Sequence, residues 1–313
     1  MKRTQLYSAL LLVAASGSLA APSNAVEAVI GKTYAKSKEG SPPPVPGTKG
    51  LPNVIWILLD DAGFGATSAF GGGTDTPVFE RLANDGLRYT NFHTTAISSP
   101  TRASLLTGRN HHNVGMGLFP HKALSGEFPG YTGRLQPENG TVAEYLRARG
   151  YGTYQLGKWH LTPDAEVTDL GPFDRWPSGK GFDHNLSILG GASDQYAPSD
   201  LVEGNLHVKP DGRHLNAVLA DKAIAYIDQQ RQLAPDKPFF LYFSPGAVHS
   251  PHQVDQPWLD KYKGRFDAGW DVYRAQTFER QKQLGLLPAE AKLPPRDPRV
   301  PAWDSLSGHQ KKV

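Results

Sequence analysis

Residues 98–108 of this sequence read Ser-Ser-Pro-Thr-Arg-Ala-Ser-Leu-Leu-Thr-Gly. Pro100 has a fixed φ and no amide proton, so it suits the first turn of a helix. We therefore predict that Ser98 lies just ahead of a helix that runs to about Leu106. The free N–H groups and positive dipole end of such a helix suit a sulfate or phosphate near the Ser98 oxygen. Arg102, one turn into the helix, can direct its charge to the same place, although the run Ser-Pro-Thr-Arg taken alone is an ordinary helix cap.

Around this run, apolar stretches alternate with helical patterns. Apolar runs predict buried strands at residues 54–59, 151–156 and 239–243. Helices are predicted at residues 77–85, 141–150 and 216–231, the second opening with a capping box of Thr141 and Glu144. The apolar face of the last helix is predicted to contain Ala217, Leu219, Ala220, Ala223, Ile224 and Ile227. Strand–helix alternation of this kind predicts an α/β fold with a mostly parallel central sheet flanked by helices.

Composition narrows the class of protein. The 313 residues include 39% hydrophobic residues and carry a net charge of +3 with scattered basic residues, which fits a globular protein and gives no indication of nucleic-acid binding. The absence of cysteine excludes disulfides, so a conventional core must hold the fold.

The sequence also suggests how the chain is divided. Lys2 and Arg3 precede a short apolar stretch and small residues, which predicts a signal peptide over residues 1–25, no stable membrane insertion, and a periplasmic or secreted protein. Residues 26–51 are rich in proline and glycine and are expected to form an extended lead-in. Residues 52–313 are expected to form the folded domain, with 261–303 as a polar, proline-rich surface excursion.

An acidic pair follows the first predicted strand. Asp60 and Asp61 place two negative charges side by side, and like charges about 4 Å apart repel by about 4 kcal/mol at an effective dielectric constant of 20. A divalent cation with oxygen ligands, calcium or magnesium, would remove that repulsion. A lone Asp-Asp pair is more often a solvated loop feature, so the pair needs the support of other motifs.

Three runs together resemble signatures of the sulfatase family. They are Ser-x-Pro-x-Arg followed by Leu-Leu-Thr-Gly within 98–108, Gly-Tyr-Gly-Thr-Tyr-Gln-Leu-Gly-Lys-Trp-His at 150–160, and Ser-Pro-Gly-Ala-Val-His-Ser-Pro-His at 244–252. The likeness covers roughly residues 52–313 and is strongest to bacterial periplasmic arylsulfatases. It implies an alkaline-phosphatase-like sulfatase fold and a sulfuric ester hydrolase acting on small sulfate esters.

The resemblance also implies a set of site residues. The catalytic residues would be Ser98, Arg102, Lys158, His160 and His249, and the metal ligands Asp60, Asp61 and the oxygen of the modified Ser98. In the family the residue at position 98 is oxidised to formylglycine (3-oxoalanine), whose hydrated aldehyde attacks the sulfur. Since Ser98 stands where many members have cysteine, the resemblance implies a serine-type maturase that acts transiently before export.

The histidines and lysine would have distinct tasks by this resemblance. Lys158 would stabilise the sulfate, His160 would help to expel it, and His249 would protonate the leaving group, a task that suits an imidazole. Gly157 is expected to let the chain turn sharply so that Lys158 and His160 reach one site. His252 is expected to have a supporting or structural role. His111 and His112, which follow the Thr-Gly-Arg-Asn tail, are expected to have a structural or loop-pairing role.

Three interpretations stay open at this point. Family members of this type continue for a few hundred residues and supply further metal ligands and another lysine, so we expect this sequence to be the front part of a sulfatase, with a fold incomplete at the C-terminus. A phosphate or phosphonate monoester hydrolase on the same architecture is the alternative within hydrolases. A catalytically inactive, exported remnant is the third.

Overall fold

The described part of the chain falls into two units. The computed structural model describes residues 28–40, 48, 50–124 and 127–312, and the units comprise residues 1–47 and 48–313. In the first unit, an antiparallel bridge joins Val29 to Lys38 around a 3₁₀ turn at Tyr34–Lys36. This part of the expected lead-in therefore folds back on itself instead of being extended. The predicted signal peptide, residues 1–25, lies outside the described residues.

A six-stranded mixed sheet organises the second unit. Its strands are β1 (Val54–Ile57), β2 (Gly152–Lys158), β3 (His184–Ile188), β4 (Leu201–Glu203), β5 (Leu206–His207) and β6 (Phe239–Ser244). The order across the sheet is β1-β6-β2-β3-β4-β5. The first four strands in this order are mutually parallel, and β4 and β5 add antiparallel pairs at the other edge. The mostly parallel sheet predicted from the sequence is confirmed.

Six α-helices accompany the sheet in the described residues. They are α1 (Pro77–Asp85), α2 (Ser98–Thr107), α3 (Val142–Ala148), α4 (Leu215–Leu233), α5 (Gln256–Tyr262) and α6 (Gly269–Gln283). The predicted capping box of α3 is present, with Thr141 and Glu144 each bonded to the other's backbone N–H. α6 lies inside residues 261–303, the region expected to be a polar, proline-rich surface excursion, and is a regular helix that the sequence patterns did not predict. None of the described helices combines the length and apolar character needed to span a membrane.

The core has two layers because neighbouring residues of a buried strand point to opposite faces. On one face, Phe240 and Tyr242 of β6 pack with residues of α2 and α3 such as Ala103 and Ala143. On the other face, Phe239 and Leu241 pack with α4. The sheet is therefore covered by helices on both sides, as expected for parallel strands.

The buried face of α4 differs from the predicted one. Leu215, Leu219 and Ala223 are buried against the sheet, whereas Ala217 and Ala220 are exposed. Ile224 is likewise exposed, at 59%. These buried residues are spaced i, i+4 along one side of the helix. Because alanines also lie on a neighbouring side, the sequence pattern made both sides of the helix equally apolar.

β1 also differs from its prediction as a buried strand. It is an edge strand with β6 as its strand neighbour, and Ile55 and Ile57 are 50% and 48% exposed. A continuous apolar run is compatible with either a central or an edge position, so the sequence pattern could not separate the two.

Candidate active site

The carboxyl ends of β1, β2 and β6 share one edge of the sheet because these strands are parallel. Asp60 and Asp61 follow β1, Lys158 ends β2, and His249 lies in the segment after β6. The N-terminus of α2 supplies Ser98 at the same edge, as the contacts below show. The topology thus brings the predicted site residues to one place, where open α/β sheets bind their ligands.

Ser98 and Arg102 are in direct contact across one helical turn. Arg102 Nε donates to Ser98 Oγ at 2.9 Å. Ile97, not Ser98, is the N-cap, so Ser98 is the first helical residue and not the residue ahead of the helix as predicted. Its backbone N–H is therefore among the first-turn donors that have no partner within the helix.

Arg102 is held by oxygens from two strands and from the segment that follows a third. Its Nη1 donates to the Lys158 carbonyl at 2.8 Å and to the Tyr242 hydroxyl at 3.1 Å. Its Nη2 lies 3.4 Å from Asp60 Oδ1. The side chain is 1% exposed, so these contacts fix the direction of a charge that is removed from water.

Asp60 also pairs with a second buried cation. Lys158 Nζ lies 2.5 Å from Asp60 Oδ2, and the lysine side chain is 1% exposed. Burial lowers the pKa of Lys158, while its hydrogen bond to Asp60 acts in the opposite direction. One carboxylate thus faces two cations, and the group as a whole favours a bound anion, since an unbalanced buried charge is costly.

His160 occupies a strained and buried position. Its φ is +54°, a left-handed value that is uncommon for a residue other than glycine and is often found at functional sites. The Ser99 hydroxyl donates to its carbonyl at 2.8 Å, which ties His160 to the start of α2. A Cβ on Gly191 would lie 2.5 Å from His160 Cε1, so the imidazole needs a glycine beneath it.

The His160 imidazole is neutral at physiological pH. Burial and the neighbouring charges of Lys158 and Arg102 lower its pKa to about 3. Both ring nitrogens are buried and have no hydrogen-bond partner among the described residues. A neutral ring with an unpaired nitrogen can accept a hydrogen bond from a group bound at the site.

Asp61 and His249 form a looser pair beside this centre. His249 Nε2 lies 3.8 Å from Asp61 Oδ2, and its Nδ1 is 2.7 Å from the Ser250 carbonyl. Because only an N–H can bond to a carbonyl, Nδ1 carries a proton and Nε2 is the nitrogen that can exchange one. Asp61 has a φ of +56°, and the Val248 amide donates to the Asp60 carbonyl at 3.0 Å, which ties the two segments together.

The residues offered to a metal ion are oxygen donors. The carboxylates of Asp60 and Asp61, with the oxygen at Ser98, suit calcium or magnesium, and calcium takes six to eight such ligands. Within the described part of the chain, no group of three or more His, Cys, Asp or Glu side chains is placed to hold a metal ion. The residues present therefore fit part of a hard-cation shell.

Two residues at this centre were missed by the sequence analysis. Tyr242 bonds to Arg102, and Ser244 Oγ donates to the Lys158 carbonyl at 2.7 Å. Both lie on β6, within or next to the run predicted as a buried strand. A hydroxyl in an otherwise apolar buried strand needs a polar partner, and that signal could have identified them.

Gly157 has a different role from the expected sharp turn. It lies inside β2, paired with Ser187 of β3 and Ser244 of β6. Its φ is +102°, and a Cβ there would lie 2.1 Å from the Ser244 carbonyl oxygen. The glycine thus permits close approach of β6, and the strand itself carries Lys158 to the site.

In the described part of the chain, no hydrogen bond joins the other histidines singled out in the sequence to the charged centre. His111 Nδ1 bonds to the Met116 carbonyl at 3.2 Å, and His112 Nε2 to the Tyr131 hydroxyl at 3.2 Å. These contacts join loops, in line with the structural role expected for both. His252 is exposed and lines a cavity beside His249.

Comparison with known proteins defines the class. Residues 52–300 match the family model described as Sulfatase. The chain belongs to the sulfatase family.

Particular relatives support the same assignment. An uncharacterized sulfatase of Schizosaccharomyces pombe is 33% identical over an alignment of 282 residues that covers 83% of this chain and 49% of that protein. The arylsulfatase of Klebsiella aerogenes is 31% identical over an alignment of 274 residues that covers 83% of this chain and 56% of that protein. The chain therefore spans about half the length of these curated relatives.

The fold likewise matches solved structures. A protein solved in complex with its substrate D-glucosamine-2-N,6-O-disulfate superposes with a TM-score of 0.53 at 27% identity, over 69% of this chain and 38% of that one. The mostly parallel sheet flanked by helices is thus the sulfatase fold, as the sequence resemblance implied.

Proposed function

We propose that this chain is part of an arylsulfatase-type enzyme that hydrolyses sulfate monoesters through a formylglycine made from Ser98. The observation that carries the proposal is the buried pair of cations beside that residue. Arg102 contacts Ser98 directly, and Lys158 shares Asp60 with Arg102. Fixed charges of this kind, aimed at one point, stabilise an anionic group without having to reorganise during the reaction.

The chain's own residues would divide the binding of sulfate between them. Arg102 and Lys158 supply positive charge, and the first turn of α2 supplies backbone N–H donors. Asp60 would keep the two cations in place through its contacts of 3.4 and 2.5 Å. A hydrated aldehyde at position 98 would supply the nucleophile and the means of releasing sulfate afterwards.

Two histidines would handle protons at opposite ends of the scissile bond. His160, neutral because of its lowered pKa, can accept a hydrogen bond from a hydroxyl at position 98. His249 has Nε2 available because its Nδ1–H bonds to a carbonyl. As the imidazolium, with both nitrogens protonated, it can give the Nε2 proton to the departing alcohol oxygen and return to the neutral ring.

The metal would be held by the acidic pair. Asp60 and Asp61 are the ligands this chain offers, together with the oxygen of residue 98, and calcium is the ion that we propose, with magnesium as the other candidate. A bound cation would supply further neutralisation of the sulfate charge.

Maturation and location complete the proposal. A serine at position 98 calls for a serine-type maturase that modifies the chain before export, and the N-terminal signal predicted from the sequence directs the protein to the periplasm or outside the cell. The partners are therefore the maturase and the export machinery transiently, and the small sulfate ester during turnover.

The direct test is the Ser98→Ala variant of the natural protein, produced in its own host. We expect turnover of 4-nitrophenyl sulfate to fall by about a thousandfold or more, because the nucleophile is lost. Ser305→Ala, an exposed serine, is the matched control and should retain activity. Wild-type protein that cleaves 4-nitrophenyl phosphate much faster than the sulfate would favour the phosphate monoester hydrolase, and matured wild-type protein that binds calcium but cleaves neither ester would favour the inactive remnant.

A further inference from the structure

Among the described residues, no hydrogen bond fixes the direction of the His160 imidazole. The backbone of His160 is held on both sides, since its N–H donates to the Leu189 carbonyl at 3.1 Å and its carbonyl accepts from the Ser99 hydroxyl at 2.8 Å. The two ring nitrogens, in contrast, are buried and have no partner in the described part of the chain. The direction of the ring must therefore be set by its packing.

Three aromatic rings form a nearly parallel cluster at this place. The ring centroids of Phe119 and His160 lie 5.3 Å apart, with 19° between the ring planes. The ring of His121 lies 5.2 Å from that of Phe119 at 7° and 5.9 Å from that of His160 at 12°. These distances and angles are those of stacked aromatic pairs. The imidazole is thus confined by two neighbouring rings and by Gly191, where a Cβ would lie 2.7 Å from its Nε2.

The loop that carries the two neighbouring rings is anchored on both sides. Before the rings, the Gly117 N–H donates to the Gly130 carbonyl at 2.7 Å, and after them the Leu124 N–H donates to the Tyr131 carbonyl at 2.8 Å. A 3₁₀ turn at Pro120–Lys122 lies between these two hydrogen bonds. The backbone therefore presents both rings to His160 from a defined position.

We propose that Phe119, supported by His121, is the positioning residue of His160 and holds its imidazole in the direction that the reaction requires. The inference rests on the proposed sulfate-ester hydrolysis, in which His160 accepts a hydrogen bond from a hydroxyl at position 98. Stacking suits this task because it holds the ring while leaving both nitrogens without a protein partner. A hydrogen bond from the protein would also fix the ring, but it would occupy a nitrogen that the substrate-side hydroxyl needs.

The kinetic test uses the natural, matured protein and 4-nitrophenyl sulfate. We expect Phe119→Leu to lower kcat by about tenfold or more, because the imidazole is no longer held in one direction. KM should change by less than about twofold, since Arg102 and Lys158 still bind the sulfate. Phe119→Tyr keeps the ring and should return kcat to within about threefold of wild type. Phe128→Leu, at an exposed phenylalanine of the same loop, is the control and should change neither constant.

Two substitutions of His121, which is exposed, separate stacking from chemistry. His121→Phe keeps a flat ring without nitrogens and should leave kcat within about twofold of wild type. His121→Ser removes the ring and should lower kcat, although by less than Phe119→Leu does. Equal losses in the two His121 variants would show that its imidazole acts on the substrate, which would overturn the stacking role. A Phe119→Leu protein that unfolds at lower urea but keeps the wild-type kcat would overturn the inference as well.

A spectroscopic measurement separates this inference from the proposed function. In Ser98→Ala protein with isotope-labelled histidine, the NMR signal of the His160 Cε1–H is identified by its loss in His160→Gln. An aromatic ring shifts the signals of protons close to it, so Phe119→Leu should move this signal and Phe119→Tyr should restore it. A moved signal without any wild-type turnover of the sulfate ester would support the stacking and contradict the proposed hydrolysis. An unmoved signal in Phe119→Leu would overturn the inference, whether or not the natural protein cleaves the ester.

Discussion

The Arg102 side chain is buried and contacts four protein oxygens in place of water. Two of them, the Tyr242 hydroxyl and the Lys158 carbonyl, are bonded by the same nitrogen, Nη1. Tyr242 is fully buried, and burial raises the pKa of its phenol, so it stays a neutral hydroxyl at any pH of interest. The tyrosine therefore acts on the site through Arg102, as a positioning residue.

Tyr242→Phe removes that hydroxyl and leaves the packed ring in place. We expect the free energy of unfolding to fall by about 1 to 2 kcal/mol, because a hydrogen bond to a charged group is lost in the interior. Urea unfolding of the 313-residue chain measures this loss. In the natural protein kcat should fall more than KM changes, since the arginine is held less firmly.

The matched control for this substitution is Tyr89→Phe, at an exposed tyrosine. It should lie within about 0.5 kcal/mol of wild type. Equal stability and equal kcat for the Tyr242 and Tyr89 variants would show that the hydroxyl does not support Arg102.

His160 gives the site a pH dependence with a definite sign. Its folded-state pKa, lowered to about 3, lies below the value of about 6.5 of an unfolded histidine. Between these two values the unfolded chain binds more protons than the folded one, so the free energy of unfolding must fall as pH falls from about 6.5 towards 3.

His160→Gln removes this contribution, so the slope of unfolding free energy against pH in that window should become shallower. Urea titrations at several pH values measure the slope. His93→Gln, at an exposed histidine, should leave the slope as in wild type. Identical slopes for wild type and the His160 variant would contradict the description of His160 as a buried, neutral imidazole.

At the scale of elements, the junction of β2 and β6 depends on one residue without a side chain. Gly157 has a φ of +102°, and a Cβ added at this residue would lie 2.1 Å from the Ser244 carbonyl oxygen. Gly157→Ala must therefore move β6 or distort β2, and we expect it to lower the free energy of unfolding by more than about 2 kcal/mol. Gly308→Ala, where a Cβ would meet nothing within 4 Å, should be close to neutral. A stable, active Gly157→Ala protein would contradict this packing.

The elements show which parts of the fold can be predicted from sequence. α1 and the capping box of α3 were predicted closely because local chemistry determines them: a proline at the helix start in one, reciprocal side-chain bonds in the other. α6 was missed because its 15 residues are largely polar. The orientation of α4 was partly wrong because alanine fits an exposed and a buried row equally well.

In the site, too, some residues could be predicted from the sequence and others could not. Asp60, Ser98, Arg102 and Lys158 lie in runs that could be picked out along the chain, and the structure brings them into direct contact. The partners Tyr242 and Ser244 stand out in the sequence only as hydroxyls in an apolar strand, and which groups they bond to depends on the strand or helix that lies opposite. The need for glycine at position 157 could not be predicted either, because it depends on the distance between two strands.

At the scale of the whole molecule, the predicted site residues lie at the carboxyl ends of the parallel strands of an open sheet. β1, which leads into Asp60, is an edge strand with Ile55 and Ile57 about half exposed. Apolar residues at a sheet edge are a recognised risk for association between chains. The acidic pair that we propose for the metal thus follows the least covered of the parallel strands.

The central claim is that Ser98 is converted to formylglycine and serves as the nucleophile of sulfate-ester hydrolysis. Peptide mass spectrometry of the natural protein from the exported fraction of its source, together with its activity on 4-nitrophenyl sulfate, tests this claim most directly. The proposed mechanism predicts that the peptide containing Ser98 has lost two hydrogens and that turnover scales with the modified fraction. Full turnover by protein whose Ser98 is intact would contradict it.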